Sequence, residues 1–263
     1  MSKNTFHLKS CPVNPTLEYA DSIVLPEGTD HIISERGGST IDVGKWLARK
    51  FKLPHTAIPT TAGTGSEVTK YCVLMVDGKK TTFTDEAFIP TSYVLDPRLV
   101  VSLPKLHTLS SGLDAFSQAL ESYWSLNSTP ESQSYAQMAI NIIPKALIDS
   151  IETPMNERAR ADMLLGANLA GRAINITRTN VCHAISYPLT ELYGIPHGIA
   201  CSITLPYFSK KALKFDISEF FKRLDIPKYE FDKDKVRDIA IESEKLKDCP
   251  FHIAKDDIDK SLS

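Results

Sequence analysis

Residues 182–198 read CHAISYPLTELYGIPHG and contain the most informative spacing in the chain. This stretch sets two histidines, His183 and His197, fourteen residues apart. The second histidine is held between Pro196 and Gly198, directly ahead of an apolar run. Imidazole nitrogens are common ligands of iron and zinc, so the stretch predicts one side of a metal site.

A second polar pair lies upstream, in the segment GLDAFSQ at residues 112–118. Asp114 and Gln118 are four residues apart, so a helix places their side chains one turn apart on the same face. Together with the two histidines they offer one carboxylate, two imidazoles and one amide. This mixed nitrogen and oxygen set suits a single divalent cation, iron or zinc.

Two sequence patterns meet near Leu103. Before it, short β-rich runs alternate with turn residues around a helical segment at 40–50; after it, apolar residues recur at helical spacing. We therefore predict an incomplete α/β dinucleotide-binding domain over residues 1–104 and a shortened all-α metal-binding domain over residues 105–263. The predicted strands are residues 30–33, 56–59, 71–76 and 92–95.

The bulk composition disfavours several classes of protein. The 263 residues are 42% hydrophobic and 24% charged, as in ordinary globular proteins. A net charge of −2 provides no electrostatic footprint for nucleic acid or a membrane surface, and no apolar run approaches the ~20 residues that span a bilayer. The five cysteines form no C-x-x-C pair, which favours reduced thiols in the cytoplasm over a disulfide framework.

Two loops rich in small residues follow predicted strands. The first, RGGSTID at 36–42, opens the predicted helix, where glycines and free N–H groups can approach a phosphate. A plain strand-to-helix turn explains the same residues equally well. The second, PTTAGTGSE at 59–67, places two glycines among four hydroxyl residues, a donor-rich surface that no packing requirement explains.

Both loops resemble the cofactor motifs of the iron-containing alcohol dehydrogenase family, which read GGGS-x-x-D-x-x-K and PTT-x-GTGSE. The resemblance implies an oxidoreductase with a divalent metal, iron or zinc, and a nicotinamide dinucleotide, NAD or NADP. Arg36 stands where the family has its first glycine, so either its guanidinium adds an anion contact or its Cβ obstructs the turn. The residues that the resemblance assigns to the dinucleotide are Gly37, Gly38, Ser39, Asp42, Thr60, Thr61, Thr64 and Lys80.

The resemblance also implies the metal ligands. Asp114, His183 and His197 match the family's positions, whereas Gln118 replaces its remaining histidine. Because a glutamine carbonyl is a weaker donor than imidazole, we expect a three-ligand site with Gln118 as an optional fourth ligand. The alternative is that metal binding has decayed and these side chains are buried polar groups.

Tyr187 stands where the family usually carries a further histidine beside the substrate. It is the predicted catalytic residue, since a tyrosine can donate a hydrogen bond or relay a proton. Its ordinary pKa of about 10 makes it a weak base at neutral pH. A packing role for the ring explains the residue equally well.

The segment before His183 carries two arginines where the family is mostly small and apolar. The guanidinium groups of Arg172 and Arg178 suit phosphonate oxygens, and the segment looks like the branch that reduces phosphonoacetaldehyde to 2-hydroxyethylphosphonate. The alternative is that both are surface arginines paired with carboxylates such as Glu121 or Glu191.

The resemblance runs from about Asn14 to Pro206 and more loosely to the end. The chain looks shortened in two places. A leading βαβ-type stretch of the family is missing before residues 4–8, and one or two helices are missing after Pro206. A missing leading strand would expose a sheet edge, which favours association, so a homodimer is possible. Besides a reductase of a small phosphonate, the sequence leaves open a generic alcohol dehydrogenase and a non-catalytic paralogue that binds an intact relative.

Overall fold

The computed structural model describes residues 11–263, which form two compact units. The first contains the chain up to Thr60 together with Ser66–Asp96, and the second contains Thr61–Gly65 and Pro97–Ser263. The start of the resemblance near residues 4–8 lies outside the described residues. The domain limits 1–104 and 105–263 stay a prediction.

The first unit is an α/β layer, as the sequence predicts. A parallel sheet has the strand order β1-β2-β5, and β3 and β4 form a separate antiparallel pair. The elements are α1 (Leu17–Ser22), β1 (Ile32–Arg36), α2 (Gly38–Phe51), β2 (His55–Pro59), β3 (Tyr71–Val76), β4 (Lys79–Thr84) and β5 (Ser92–Tyr93).

The predicted strand at 71–76 and the helix at 40–50 are confirmed, whereas β5 spans only Ser92–Tyr93 of the strand predicted at 92–95. Two further features of this unit differ from expectation. The first strand runs on through Ser34 to Arg36, because parallel pairing with β2 continues into polar residues. The hairpin of β3 and β4 was not predicted. Its turn is Asp77-Gly78, where both residues have positive φ, 50° and 76°, as a type I′ turn requires.

An apolar face of α2 packs into the core of this unit. Val43, Leu47 and Ala48 are buried there with β-strand residues such as Ile32 and Leu74. The helix ends where Lys52 adopts the left-handed conformation, with φ 55°, and its N–H bonds the carbonyl of Ala48. This amphipathic helix, followed directly by β2, is what the alternating sequence pattern indicates.

A buried imidazole gives this unit a pH-dependent stability. His55 is 2% exposed, its Nε2 lies 3.0 Å from Ser34 Oγ, and its Nδ1 has no hydrogen-bond partner. Burial, with the charge of Lys45, lowers the pKa of His55 from 6.5 to about 4. As the pH falls below 6.5, His55 becomes protonated in the unfolded chain but stays neutral in the folded chain. The free energy of unfolding therefore decreases until about pH 4, where His55 is protonated in both states.

We expect the free energy of unfolding to fall by up to about 3 kcal/mol between pH 6.5 and pH 4 through this group. Chemical denaturation at several pH values measures it, and the His55→Asn variant should lose this part of the slope. Ser34→Ala is the matched control, because it removes the hydrogen bond but keeps the buried imidazole. If the slope survived in His55→Asn, another group would be responsible.

The second unit is helical, which confirms the all-α prediction for this part of the chain. Its long helices have apolar faces that bury residues such as Leu113, Phe116 and Leu147, and shorter helices follow. Within residues 11–263, no helix combines the length and hydropathy needed to cross a bilayer. The helices are α3 (Lys105–Trp124), α4 (Pro130–Glu152), α5 (Glu157–Thr177), α6 (Val181–Tyr193), α7 (His197–Leu213), α8 (Ser218–Lys222), α9 (Lys233–Ala240) and α10 (Lys255–Ser261).

Candidate metal centre

Three helices of the second unit bring four potential metal ligands together. Asp114 lies on α3, His183 on α6, and His197 and Cys201 on α7, with one ligand atom from each lying within 4.8 Å of all the others. Asp114 Oδ1 lies 3.3 Å from His183 Nε2 and 3.8 Å from His197 Nε2. The three ligands proposed from the sequence therefore converge on one point.

Helix α6 starts at a fixed place because Asn180 caps it. Asn180 Oδ1 accepts the N–H of Val181 and also the indole N–H of Trp124, each at 2.9 Å. Its Nδ2 donates to the carbonyl of Glu121 on α3, at 3.1 Å. This buried amide therefore ties the first turn of α6, which contains His183, to the last turns of α3.

The turn between α6 and α7 positions the second histidine. Gly194 ends α6 in the left-handed conformation, with φ 66°, and Pro196 precedes His197, the first residue of α7. Next to it, Gly198 contacts the backbone of α3: a Cβ there would lie 1.7 Å from the Ser110 carbonyl oxygen. The absence of a side chain at Gly198 is what lets His197 approach Asp114.

Glu121 holds the His183 ring from behind. It is fully buried, its Oε2 bonds His183 Nδ1, and its Oε1 accepts the backbone N–H groups of Cys182 and His183. A carboxylate at Nδ1 holds a proton on that nitrogen, so Nε2 faces the cluster and would offer its lone pair to a bound cation. The interpretation of Glu121 as a surface partner for an arginine is therefore wrong.

The cluster is strongly coupled electrostatically. Burial acts to raise the pKa of Asp114, but hydrogen bonding from His183 and the charges of both imidazoles leave it below its usual value. Burial acts to lower the pKa of His183, but the charges of Cys201 and Glu121 raise it well above the usual value. Burial acts to raise the pKa of Cys201, yet both histidines lower it to about 7. A bound cation would displace protons from this cluster.

The donor set fits a single cation. Gln118 is 4% exposed and its Nε2 donates to Asp114 Oδ1 at 3.2 Å, whereas its Oε1 is buried without a hydrogen-bond partner. A buried, unpaired amide oxygen is costly unless something electropositive lies beside it. Metal–ligand bonds of about 2.0–2.3 Å at tetrahedral angles separate neighbouring ligand atoms by about 3.3–3.8 Å, close to the 3.3 and 3.8 Å found between Asp114 Oδ1 and the two imidazole nitrogens.

Tyr187 lies on the open side of this cluster. Its ring stacks on that of His197, with centroids 6.2 Å apart and planes inclined by 13°. The side chain of His197 is 33% exposed, so the cluster has one accessible face. Lys245 Nζ lies 5.6 Å from the centroid of the Tyr187 ring and donates to Thr179 Oγ1 at 2.8 Å. The positively charged Lys245 ammonium group thus lies beside the predicted catalytic tyrosine.

The residues assigned to the dinucleotide occupy three places. Gly37 precedes the first turn of α2, which Gly38 and Ser39 open, and Lys80 lies in β4 opposite Met75. Asp42 is engaged within the protein: it accepts Ser66 Oγ–H at 2.7 Å and the N–H of Val73 at 3.1 Å.

The second loop has a packing role that the sequence interpretation missed. Thr60 N–H donates to the Arg36 carbonyl at 3.0 Å, and Arg36 ends β1 as ordinary strand backbone without a positive φ, so the turn does not require glycine there. In the second unit, Thr61 is half-buried and Thr64 is exposed.

Packing does explain the two glycines of this loop, so the expectation that no packing requirement accounts for them is wrong. A Cβ on Gly63 would lie 2.8 Å from Ser111 Cβ, and one on Gly65 would lie 2.5 Å from the Gly171 backbone. The glycines therefore allow close contact with α3 and α5.

The two arginines assigned to the substrate lie on α5 or at its end. Arg172 Nε donates to Asn168 Oδ1 at 3.0 Å, and the guanidinium lies 5.8 Å from the centroid of the Tyr135 ring on α4. Arg178 is exposed and follows the last residue of α5 with φ 65°. These contacts lie between α4 and α5, whereas the clustered ligand atoms lie on α3, α6 and α7.

Three residues beside the centre were not predicted as functional. Cys201 and Glu121 carry a detectable signal, because they lie four residues after His197 and seven after Asp114, on the same helix faces. Lys245 has no such signal in the sequence, because it is distant from Tyr187 along the chain and the two side chains meet only in the folded protein.

Comparison with known proteins places this geometry in context. Residues 4–97 match the model of the iron-containing alcohol dehydrogenase family, and residues 108–242 match the C-terminal model of the Fe-containing alcohol dehydrogenase family. Long-chain-alcohol dehydrogenase 1 of Geobacillus thermodenitrificans is 34% identical over 199 residues, 68% of this chain and 50% of that protein. Phosphonoacetaldehyde reductase of Streptomyces viridochromogenes is 38% identical over 151 residues, 57% of this chain and 38% of that protein. The chain thus spans at most about half of these relatives.

Solved structures agree in fold. Sulfoacetaldehyde reductase from Bifidobacterium kashiwanohense, in complex with NAD⁺, superposes with a TM-score of 0.84 at 30% identity, over 95% of this chain and 80% of that one. An iron-containing alcohol dehydrogenase from Thermotoga maritima gives a TM-score of 0.79 at 30% identity, over 94% and 79%. With both family models matched in order along the chain, the protein belongs to the iron-containing alcohol dehydrogenase family.

Proposed function

We propose that this protein catalyses the reversible reduction of a small aldehyde to an alcohol, with NADH or NADPH and a divalent cation, iron or zinc. The observation that carries the proposal is the convergence of Asp114 Oδ1, His183 Nε2 and His197 Nε2 beside the unpaired Gln118 oxygen. These three residues would hold the cation, and Gln118 would serve as the optional fourth ligand.

The bound cation supplies Lewis acidity toward a carbonyl oxygen, and the nicotinamide supplies the hydride. Glu121 fixes the His183 ring and its tautomer, which keeps the Nε2 lone pair directed at the cluster. Tyr187 lies on the exposed side, stacked on His197, where its hydroxyl can deliver the proton that the product alcohol needs.

The dinucleotide would bind at the start of α2, whose first turn directs N–H groups and the positive end of the helix dipole outward. The structural relative that reduces sulfoacetaldehyde was solved with NAD⁺. The motif residues Gly37, Gly38 and Ser39 support a pyrophosphate at this turn, with Thr60, Thr61, Thr64, Asp42 and Lys80 as the further residues assigned from the family motifs.

For the substrate we propose an aldehyde with a phosphonate group, namely phosphonoacetaldehyde. Two relatives support an anionic aldehyde, since they are named as reductases of phosphonoacetaldehyde and sulfoacetaldehyde. The sequence assigns Arg172 and Arg178 to the anion, and a further positively charged side chain, Lys245, lies beside the Tyr187 ring. A charge-assisted hydrogen bond from Lys245 would favour a substrate with a terminal anion.

We expect Lys245→Gln to raise the KM for phosphonoacetaldehyde about tenfold, while the KM for butanal changes by less than about twofold. Steady-state kinetics with both aldehydes measure the difference. Lys247→Gln is the matched control, because Lys247 lies two residues along, is exposed and pairs with Glu244. Equal losses for both aldehydes would exclude an anion-binding role, and a rise in KM with Arg172→Ala and Arg178→Ala would support the arginines instead.

The direct test is metal quantification on anaerobically purified protein, followed by an assay of nicotinamide oxidation with phosphonoacetaldehyde and butanal. About one bound cation per chain and a preference for phosphonoacetaldehyde support the proposal. A preference for butanal would indicate a generic alcohol dehydrogenase. Protein that retains no cation after incubation with Fe²⁺ or Zn²⁺, and does not respond to NADH or NADPH, would instead be a non-catalytic member of the family.

A further inference from the structure

Cys201 belongs to the metal centre by position, although no family motif assigns it a role there. It lies four residues after His197 on α7, so the two side chains occupy adjacent turns of the same helix face. The thiol is fully buried, and its Sγ lies 3.8 Å from His197 Nε2. The same sulfur lies within 4.8 Å of the chosen ligand atoms of Asp114 and His183.

We propose that Cys201 is a sulfur ligand of this centre, so that the cation is held by one carboxylate oxygen, two imidazole nitrogens and one thiolate. The inference rests on the proposed function, because it requires that the cluster binds a cation. A thiolate at about 2.3 Å and an imidazole at about 2.1 Å from one tetrahedral cation lie about 3.6 Å apart. The Sγ to Nε2 distance of 3.8 Å is close to that separation.

Gln118 is a weak metal ligand, so a stronger fourth ligand from Cys201 would increase the affinity for the cation. A neutral amide oxygen contributes little to binding of a borderline-soft cation, whereas a thiolate contributes strongly. Gln118 Oε1 is buried without a hydrogen-bond partner while its Nε2 donates to Asp114, so α3 lacks a fourth strong donor, which Cys201 on α7 can supply. Thiolate ligands favour zinc and cobalt over harder cations. We therefore expect this site to prefer Zn²⁺ over harder cations more strongly than a site with only oxygen and nitrogen ligands would.

A packing role for Cys201 predicts different surroundings. Buried free cysteines usually behave as small apolar side chains, so a packing role would surround the thiol with aliphatic neighbours. Here the thiol faces the polar atoms of the candidate ligands. Cys182 provides a contrast: it is equally buried, it lies beside His183 in sequence, and it is not among the clustered ligands.

The experiment replaces the native cation with Co²⁺ in the full chain and records its absorption spectrum. A thiolate bound to Co²⁺ produces a charge-transfer band in the near ultraviolet that oxygen and nitrogen ligands do not. The wild type should show this band at one equivalent of Co²⁺, together with visible bands of a tetrahedral or five-coordinate ion. Cys201→Ser should lose the charge-transfer band but keep bound Co²⁺, and Cys182→Ser should keep both. We also expect the dissociation constant for Zn²⁺ to rise at least about tenfold in Cys201→Ser.

The outcomes separate this inference from the proposed function. If the wild type binds Co²⁺ without a charge-transfer band, Cys201 is not a ligand, although the cation site stands; this result needs no variant to fold. A band that persists in Cys201→Ser and vanishes in Cys182→Ser also overturns the assignment. If neither Co²⁺ nor Zn²⁺ binds to the wild type, the proposed function fails and this inference fails with it.

Discussion

Replacing Gly198 with alanine is expected to abolish tight cation binding. The added Cβ would lie 1.7 Å from the carbonyl oxygen of Ser110 and 2.8 Å from the backbone nitrogen of Asp114. Both neighbours are backbone atoms of α3, so relief requires α7 to move away by about 1.5 Å. His197 would move with it, and a displacement of about 1 Å at a site that needs exact geometry can cost about a hundredfold.

We expect the affinity of Gly198→Ala for Zn²⁺ or Co²⁺ to fall at least about a hundredfold, with a loss of about 1–3 kcal/mol in the free energy of unfolding from overpacking. Titration calorimetry and denaturant unfolding measure the two effects. Gly194→Ala is the matched control, because Gly194 lies in the turn that leads from α6 into α7, four residues before Gly198. Nothing lies within 4 Å of its added Cβ, but its φ of 66° makes the substitution strained.

The control should therefore lose stability and keep the cation. If Gly194→Ala lost the cation to the same degree as Gly198→Ala, general destabilisation rather than separation of α3 from α7 would explain the result. Full cation affinity in Gly198→Ala would show that the close approach of the two helices is not needed for binding.

Replacing Glu121 with glutamine is expected to have the second-largest effect. The carboxylate accepts from the His183 ring and from two backbone N–H groups at the start of α6. A glutamine side chain has only one acceptor oxygen, so its NH₂ group must face either the ring N–H or the backbone N–H groups. Either orientation sets donor against donor in a fully buried place, unless the imidazole changes tautomer and protonates Nε2.

We expect Glu121→Gln to lower cation affinity about 10- to 100-fold and to reduce the free energy of unfolding by about 1–3 kcal/mol. The proton position on His183, measured by NMR of labelled imidazole, should change as well. Glu191→Gln on the exposed side of α6 is the control, and it should alter stability by less than about 0.5 kcal/mol. Wild-type affinity in Glu121→Gln would mean that the orientation of His183 does not depend on this carboxylate.

Local patterns along the chain are enough to predict the class of fold and the core of the candidate centre. Helical spacing of apolar residues fixes which faces of α3 and α5 are buried, since the period of a helix is local. The two histidines at the starts of α6 and α7, with Asp114 on α3, carry enough chemistry to indicate a shared cation before any coordinates exist. The dipeptide Asp77-Gly78 is typical of a type I′ turn and is a local signal for the hairpin of β3 and β4, which was not predicted from the sequence.

The polar groups that surround that centre depend on how the helices pack together. Glu121 looked like a surface carboxylate in the sequence, yet it is buried against His183, because burial depends on which helices pack together. Lys245 reaches Tyr187 from a segment more than fifty residues later, a contact that no local spacing encodes. The glycines at 63, 65 and 198 show the same limit: the need for a missing Cβ exists only where another backbone comes close, and that distance is a property of packing.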